Sequence, residues 1–188
     1  MELQVLERWV HDGAIDLPAA TRVTYLLEDD EARLSTGPVA LAEHALCFEL
    51  VEEGSPEARL RAPVGLRRDQ RYLLRCDRVD FPPGGVAYLH THRGPGIRVL
   101  LKGSIEITTN GQTRAYGPLG TWFENGSDPV LAVASSTEPS AFVRCMVLPI
   151  ELRGRSSIRY VRGEDADKPK PQRYHVYVDE PLELPVRG

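Results

Sequence analysis

Short apolar runs separated by turn residues are the main pattern of the chain from residue 71 onward. The runs are rich in β-branched and aromatic residues, and turn residues recur about every 8–12 residues, as in sandwiches and barrels of short strands. Asn110-Gly111 stands between two such runs, 104–109 and 112–116, and this dipeptide is typical of a type I′ hairpin turn. The pattern predicts an all-β fold for residues 71–149.

The N-terminal residues follow a different pattern. Leu3, Leu6 and Val10 recur at steps of three and four residues, and Gly13 follows them. This spacing is typical of one face of a helix, so we predict a short amphipathic N-terminal helix. Residues 21–27 are β-branched and aromatic, which predicts a strand. We expect residues 1–70 to pack on the β core or to extend it.

The composition changes again after Pro149. Residues 153–171 are polar, charged and proline-containing, which is typical of a surface linker or an extended arm. Residues 173–179 return to strand composition, and such an arm often adds to a sheet edge of its own chain or of a partner. We therefore expect a single domain over 1–188, with added elements over 1–70, a core over 71–149 and a C-terminal arm over 150–188.

Composition and charge narrow the classes of function. The chain has 188 residues, of which 41% are hydrophobic and 27% charged, and its formal net charge is −4. These values are typical of a folded globular domain, and the lack of a basic surplus argues against a nucleic-acid binder. The sequence has neither an apolar run of about 18 residues nor a signal-peptide pattern, so we expect a cytoplasmic protein without a membrane segment.

Two histidines carry the most informative chemistry. His90 and His92 are two residues apart on a predicted strand, so both imidazoles are expected on one face. Neutral imidazoles on one face can share a metal ion, although a His-x-His pair alone is a weak signal. Its surroundings are more specific: Gly84 precedes His90 by five intervening residues, and six residues separate Gly96 from Gly103.

This spacing resembles the first motif of the cupin family, with Gly96 where the family has a glutamate. Residues 120–139 resemble the second cupin motif, and there the family's metal-binding histidine falls on Val130. The resemblance covers about residues 71–148. It implies a small antiparallel jelly-roll β-barrel, usually dimeric, that holds a metal and a small ligand. His90 and His92 match two of the usual four metal ligands.

Four further residues are expected near this pair. Glu124 is the nearest replacement for the missing carboxylate, and with His90 and His92 it would make a two-histidine, one-carboxylate site for Fe, Ni, Mn or Zn. The alternative is a solvent-facing glutamate. Tyr88 shares the parity of His90 and is a candidate proton donor, or else a packed core tyrosine. Arg98 is a candidate for binding a carboxylate or phosphate, and Trp122 for an aromatic wall of the ligand pocket; a surface arginine and ordinary core packing are the alternatives.

Two functions stay open at this point. One is a metal-dependent cupin enzyme of dioxygenase or isomerase type that acts on a small anionic metabolite, with Glu124 and Tyr88 as catalytic residues. The other is a non-catalytic cupin with a decayed metal site, which binds a small ligand or serves as a sensing or assembly module. Both imply a homodimer with a small-molecule ligand and no nucleic acid.

Overall fold

The structure is a computed structural model that describes residues 1–11 and 13–182. Most of the described residues lie in strands, and the strand pairings are antiparallel, so the predicted antiparallel all-β fold is confirmed. Two compact units divide the chain, the first over residues 1–67 and the second from residue 68 onward. The expectation of a single domain over 1–188 stays a prediction.

The first unit is built from one sheet and a small ribbon. Its strands in chain order are β1 (Glu2–Arg8), β2 (Ile15–Leu17), β3 (Thr21–Leu26), β4 (Glu31–Ser35), β5 (Val39–Leu41), β6 (Ala45–Val51) and β7 (Leu60–Pro63). The sheet has the order β4-β3-β6-β1-β7, and β2 pairs with β5. Apolar side chains of the ribbon and of one sheet face form a common core, made of Leu6, Leu17, Leu41, Ala45 and Cys47. The ribbon is therefore held by hydrophobic burial against that face.

The predicted N-terminal helix is wrong, because this segment is a strand. Strand β1 pairs with β6 on one side and with β7 on the other. Leu3, Val5 and Leu6 are at most 1% exposed, so both faces of the strand carry buried side chains. A strand that is buried on both faces shows no clear alternation of polar and apolar residues. The steps of three and four residues then imitate a helical pattern.

The second unit contains two five-stranded sheets within its described residues. Its strands are β8 (Tyr72–Phe81), β9 (Val86–His92), β10 (Gly96–Lys102), β11 (Ile105–Thr109), β12 (Gln112–Tyr116), β13 (Thr121–Glu124), β14 (Val130–Ala134), β15 (Ser140–Pro149), β16 (Ile158–Tyr160) and β17 (Arg173–Leu182). One sheet has the order β13-β10-β15-β8-β17 and the other β12-β11-β14-β9-β16. A 3-10 turn (Ile150–Leu152) and a short helix, α1 (Gly163–Asp167), lie between the last strands.

Side chains of both sheets meet in one hydrophobic core. The first sheet contributes Val79, Phe81, Leu100, Trp122 and Phe142, and the second contributes Ala87, Ile105, Ile107, Val130, Ala132 and Ala134. The two sheets thus enclose an interior between facing surfaces, as in a sandwich or a flattened barrel. Asn110 and Gly111 have φ values of 50° and 73° in the turn between β11 and β12, as a type I′ hairpin requires.

The C-terminal arm adds to both sheets of its own unit. Strand β16 pairs with β9, and β17 pairs with β8 along nearly its whole length. Both strands are edge strands of their sheets. The end of the predicted arm, residues 183–188, lies outside the described residues. Pairing across a homodimer stays a prediction.

Candidate functional site

A pair of buried histidines lies at the C-terminal end of β9. His90 and His92 are 5% and 7% exposed, and their Nε2 atoms are 3.2 Å apart. Nδ1 of His90 lies 2.7 Å from the backbone oxygen of Tyr88, which can only accept a hydrogen bond. Nδ1 of His90 therefore carries the proton, and the lone pair of Nε2 points at His92.

The second imidazole is oriented by the C-terminal arm. Nδ1 of His92 lies 3.0 Å from the hydroxyl oxygen of Ser157. A hydroxyl can donate or accept, so this contact allows either tautomer of His92. With the proton on Nδ1, both Nε2 atoms of the pair present lone pairs to the same point. With the proton on Nε2, His92 donates a hydrogen bond to His90 instead.

Both histidines are held in the neutral form. Burial lowers the pKa of His90 below its usual value. Burial also lowers the pKa of His92, and the nearby charges of Arg144 and Arg98 lower it further. Metal binding requires unprotonated imidazole, so these shifts remove proton competition at neutral pH.

Glu124 faces the interior from β13 and is 8% exposed. Its Oε1 accepts a hydrogen bond of 2.9 Å from the indole Nε1 of Trp122. Its Oε2 lies 3.5 Å from Nε2 of His92 and 2.7 Å from Nη2 of Arg98. Neither Oε2 nor Nη2 has an aligned hydrogen bond to any described residue, although the two atoms are at ion-pair distance. Glu124 is therefore a buried carboxylate with one oxygen that is only partly satisfied.

Arg98 is an interior cation on β10. It is 1% exposed, and its Nη1 donates a hydrogen bond of 2.6 Å to the backbone oxygen of Gly96. Burial lowers the pKa of Arg98 to about 10, while the charge of Glu124 opposes the shift. Arg98 thus keeps its charge at neutral pH and holds an unused N–H donor beside the histidine pair.

A second buried ion pair lies next to Arg98 in the same sheet. Arg144 on β15 is the register neighbour of Arg98, and it donates to both carboxylate oxygens of Asp77 at 2.5 and 3.0 Å. The guanidinium of Arg144 also lies 5.6 Å from the ring centroid of Tyr174. The sequence did not indicate that Arg144, Asp77 and Tyr174 meet, because they lie on strands that are distant along the chain.

Tyr88 does not join the site that its parity predicted. The pairing of β9 with β14 changes register between His90 and Ala87, so one extra residue is inserted in β9. After this bulge Ala87, His90 and His92 line the interior cavity, and Tyr88 is not among the lining residues. Instead, the ammonium of Lys168 lies 4.7 Å from the centroid of the Tyr88 ring. The prediction of Tyr88 as a proton donor in the site has no support in this geometry.

The side chains enclose a small cavity between the sheets of the second unit. Its volume is about 20 Å³, which is room for about one water molecule or one ion. The polar lining consists of His90, His92, Arg98, Glu124 and Arg144, with the ring of Trp122. Ile158 and Tyr174 of the C-terminal arm also line it, so the arm helps to close the cavity.

The donor set fits a metal in part. Two ligands with bonds of about 2.05 Å and nitrogens 3.2 Å apart subtend about 100° at one ion, an ordinary ligand angle. However, no group of three or more His, Cys, Asp or Glu side chains in residues 1–11 and 13–182 is arranged to hold a metal. The oxygen that would complete the set, Oε2 of Glu124, is next to Arg98. The site therefore fits an ion on two histidines, and Glu124 becomes a ligand only if Oε2 leaves Arg98.

Comparisons with known proteins give matches in structure only. No family model and no curated protein sequence matches the chain. An oxalate oxidase structure aligns with TM-score 0.37 and 18% identity over 43% of this chain and 47% of that one. The polyketide cyclase RemF from Streptomyces resistomycificus aligns with TM-score 0.39 and 21% identity over 50% and 63%. A cupin superfamily protein from Desulfitobacterium hafniense aligns with TM-score 0.36 and 14% identity over 46% and 74%.

These matches include structures named as cupins, the family whose first motif the spacing around His90 and His92 resembles. The chain spans about half to two thirds of the first two matched structures. The TM-scores of these matches are below 0.5, so the matches do not assign a function to this chain. A jelly-roll barrel stays a prediction. Within the described residues, no helix is long and apolar enough to cross a membrane.

Proposed function

We propose that the second unit is a metal-binding cupin module in which His90 and His92 hold a divalent transition metal. The observation that carries the proposal is the convergence of two neutral, buried Nε2 atoms at 3.2 Å in a cavity of about 20 Å³. Neutral imidazole is the usual nitrogen ligand of Fe, Ni, Mn and Zn, so the donors suit any of these ions. The backbone oxygen of Tyr88 and the hydroxyl of Ser157 support the site, because they hold the Nδ1 atoms of His90 and His92 in place.

Glu124 is the proposed third ligand, and its movement would change the role of Arg98. In the structure the carboxylate of Glu124 balances the charge of Arg98. If Oε2 binds the ion, the guanidinium loses its counter-charge and presents free N–H donors to the cavity. A planar guanidinium binds a carboxylate or phosphate in a two-pronged contact. Arg98 would then be able to hold a small anionic metabolite.

The proposed reaction class follows from these groups. A bound divalent metal would act as a Lewis acid on a carbonyl or enol oxygen or as a dioxygen site, which suits an isomerase or a dioxygenase. Arg98 would hold the anionic end of the substrate, and Glu124 would hold or move a proton when it is not a ligand. Because the cavity has room for about one water molecule, a metabolite would enter only if residues of its wall moved, and Ile158 and Tyr174 of the C-terminal arm belong to that wall.

A second candidate function is a non-catalytic cupin module without a metal. It is favoured by the Arg98–Glu124 ion pair, because the guanidinium already balances the carboxylate that a metal would otherwise bind. In that case the tautomer of His92 that donates to His90 would complete a buried polar network. Such a module would bind a small ligand or serve in sensing or assembly.

Elemental mass spectrometry on protein purified without chelators separates the two functions. The first predicts about one Fe, Ni, Mn or Zn per chain, lost in His90→Ala and in His92→Ala and reduced in Glu124→Gln. His175→Ala is the matched control, because His175 is exposed on β17. Protein that carries no metal and takes none up on reconstitution contradicts the first function and leaves the second.

A further inference from the structure

The first unit contains a cavity that is larger than the one at the histidine pair. Its lining residues lie far from His90 and His92 in sequence, and none of them lines the histidine cavity. The larger cavity is bounded by β3, β4, β5 and the turns that follow β3 and β5, and its volume is about 430 Å³. Small-molecule sites in proteins have volumes of about 300–1,000 Å³. The cavity is therefore large enough for a small organic ligand, whereas the cavity at the histidine pair is not.

Three polar side chains line this cavity with atoms that are buried and unused. Oγ of Ser35 and Oε1 of Glu43 have no hydrogen-bonding partner among the described residues. Oγ1 of Thr24, a residue that is 5% exposed, has no stronger partner than the Cys47 thiol of the neighbouring strand. Buried polar atoms without strong partners cost free energy, so side chains in the wall of this cavity would gain from an occupant that offers hydrogen-bonding groups.

The charge at the cavity is negative. Asp29 and Glu43 line it together with a single cation, Arg33. Arg33 already pairs with Glu31 at 2.9 Å in an exposed ion pair. Partial desolvation raises the pKa of Glu43, and the neighbouring carboxylates of Asp29 and Glu28 raise it further, while the charge of Arg33 opposes the shift. A positive group beside Glu43 would relieve this repulsion.

The rest of the wall is apolar. It is made of Leu26, Leu34, Val39, Ala40, Leu41 and Ala42. A bare ion would leave this surface in contact with water, and a hydrocarbon would leave the three polar atoms without partners. An anion would face two carboxylates at short range. An occupant with a positive donor group and an apolar body satisfies all of these surfaces.

We propose that this cavity binds a small organic cation: a protonated amine that donates hydrogen bonds to Glu43 and Ser35 while a short hydrocarbon body packs on Leu26, Leu34 and Val39. Charge-assisted hydrogen bonds to Glu43 provide most of the specificity, and the apolar wall sets the size of the body. The inference is independent of the metal site, because the two cavities share no residue.

The test is a titration of the isotope-labelled full chain by NMR with three probes of matched length: hexylamine, hexanol and hexanoate. At pH 7 hexylamine should shift the backbone amide signals of Thr24, Ser35 and Glu43, with clearly weaker effects from the other two probes. Glu43→Gln should weaken amine binding about tenfold, which corresponds to about 1.4 kcal/mol. Ser35→Ala should weaken it by a smaller factor. Glu53→Gln, on an exposed residue that does not line the cavity, should leave the affinity unchanged.

Three results would overturn the proposal. The first is the absence of amide shifts with hexylamine, which would mean that only water satisfies the polar atoms. The second is equal binding of hexanol or hexanoate, which would exclude a cation-selective site. The third is unchanged affinity in Glu43→Gln. If Glu43→Gln does not fold, Ser35→Ala and the comparison of the three probes on the unchanged chain decide the question.

Discussion

The interior charges of the second unit differ in how completely they are satisfied. Asp77 accepts two hydrogen bonds from Arg144, so both of its carboxylate oxygens are satisfied within the pair, which we call the closed pair. Glu124 and Arg98 lie at ion-pair distance, but each keeps an atom without an aligned hydrogen bond among the described residues. A closed pair suits a structural role, whereas a partly satisfied pair beside two histidines can exchange partners.

The closed pair should be sensitive to loss of one member. Asp77→Asn leaves the Arg144 charge buried without its counter-charge, since the two residues are 2% and 6% exposed. We expect a loss of about 3–5 kcal/mol in the free energy of unfolding, measured with urea. Glu180→Gln removes the partner of Arg153 in an exposed pair and should cost less than about 1 kcal/mol. Equal effects of both substitutions would contradict the structural role of the Arg144–Asp77 pair.

We expect the cysteines to be unreactive toward thiol reagents in the folded chain. Cys47, Cys76 and Cys145 are free and buried. Burial raises all three pKa values, that of Cys47 to about 11. Because the thiolate is the reactive form, a thiol reagent at pH 8 should label none of them before unfolding and all three in guanidinium. Labelling of the native protein at the rate of free cysteine would show that the burial is wrong.

The sequence predicted where the strands of the second unit lie better than it predicted which side chains of each strand face the interior. The alternation rule placed His90 and His92 on one face, and the structure does so. The same rule put Tyr88 there too, but the bulge in β9 turns it away, and no local residue signals that bulge. Arg144 and Ser157 could not be predicted, since their contacts depend on pairings between strands far apart along the chain.

The turn between β9 and β10 packs against β15 directly after the strand that carries the histidines. Gly94 in this turn packs so closely on β15 that a Cβ atom would overlap the backbone oxygen of Val147. We expect Gly94→Ala to cost about 1–3 kcal/mol in the free energy of unfolding, measured with urea, because the backbone must shift. Gly117→Ala is the control, since nothing lies within 4 Å of its added Cβ. Similar stability of the two variants would argue against this close packing.

We expect the two compact units of the chain to unfold together as one domain. A single domain over 1–188 predicts one cooperative thermal transition by calorimetry, with equal calorimetric and van't Hoff enthalpies. Two separate transitions would make residues 1–67 and the following unit independent domains.

Light scattering on the same sample tests the predicted homodimer, which a monomeric mass would contradict.

Anomalous diffraction from a crystal of metal-loaded protein would show whether His90 and His92 hold a metal. At the absorption edge of the bound metal, we expect one peak about 2.0–2.2 Å from both Nε2 atoms, with Oε2 of Glu124 turned from Arg98 toward the ion. A map without a peak there, with the Nε2 atoms still 3.2 Å apart and Glu124 still paired with Arg98, would mean that the two histidines do not form a metal site.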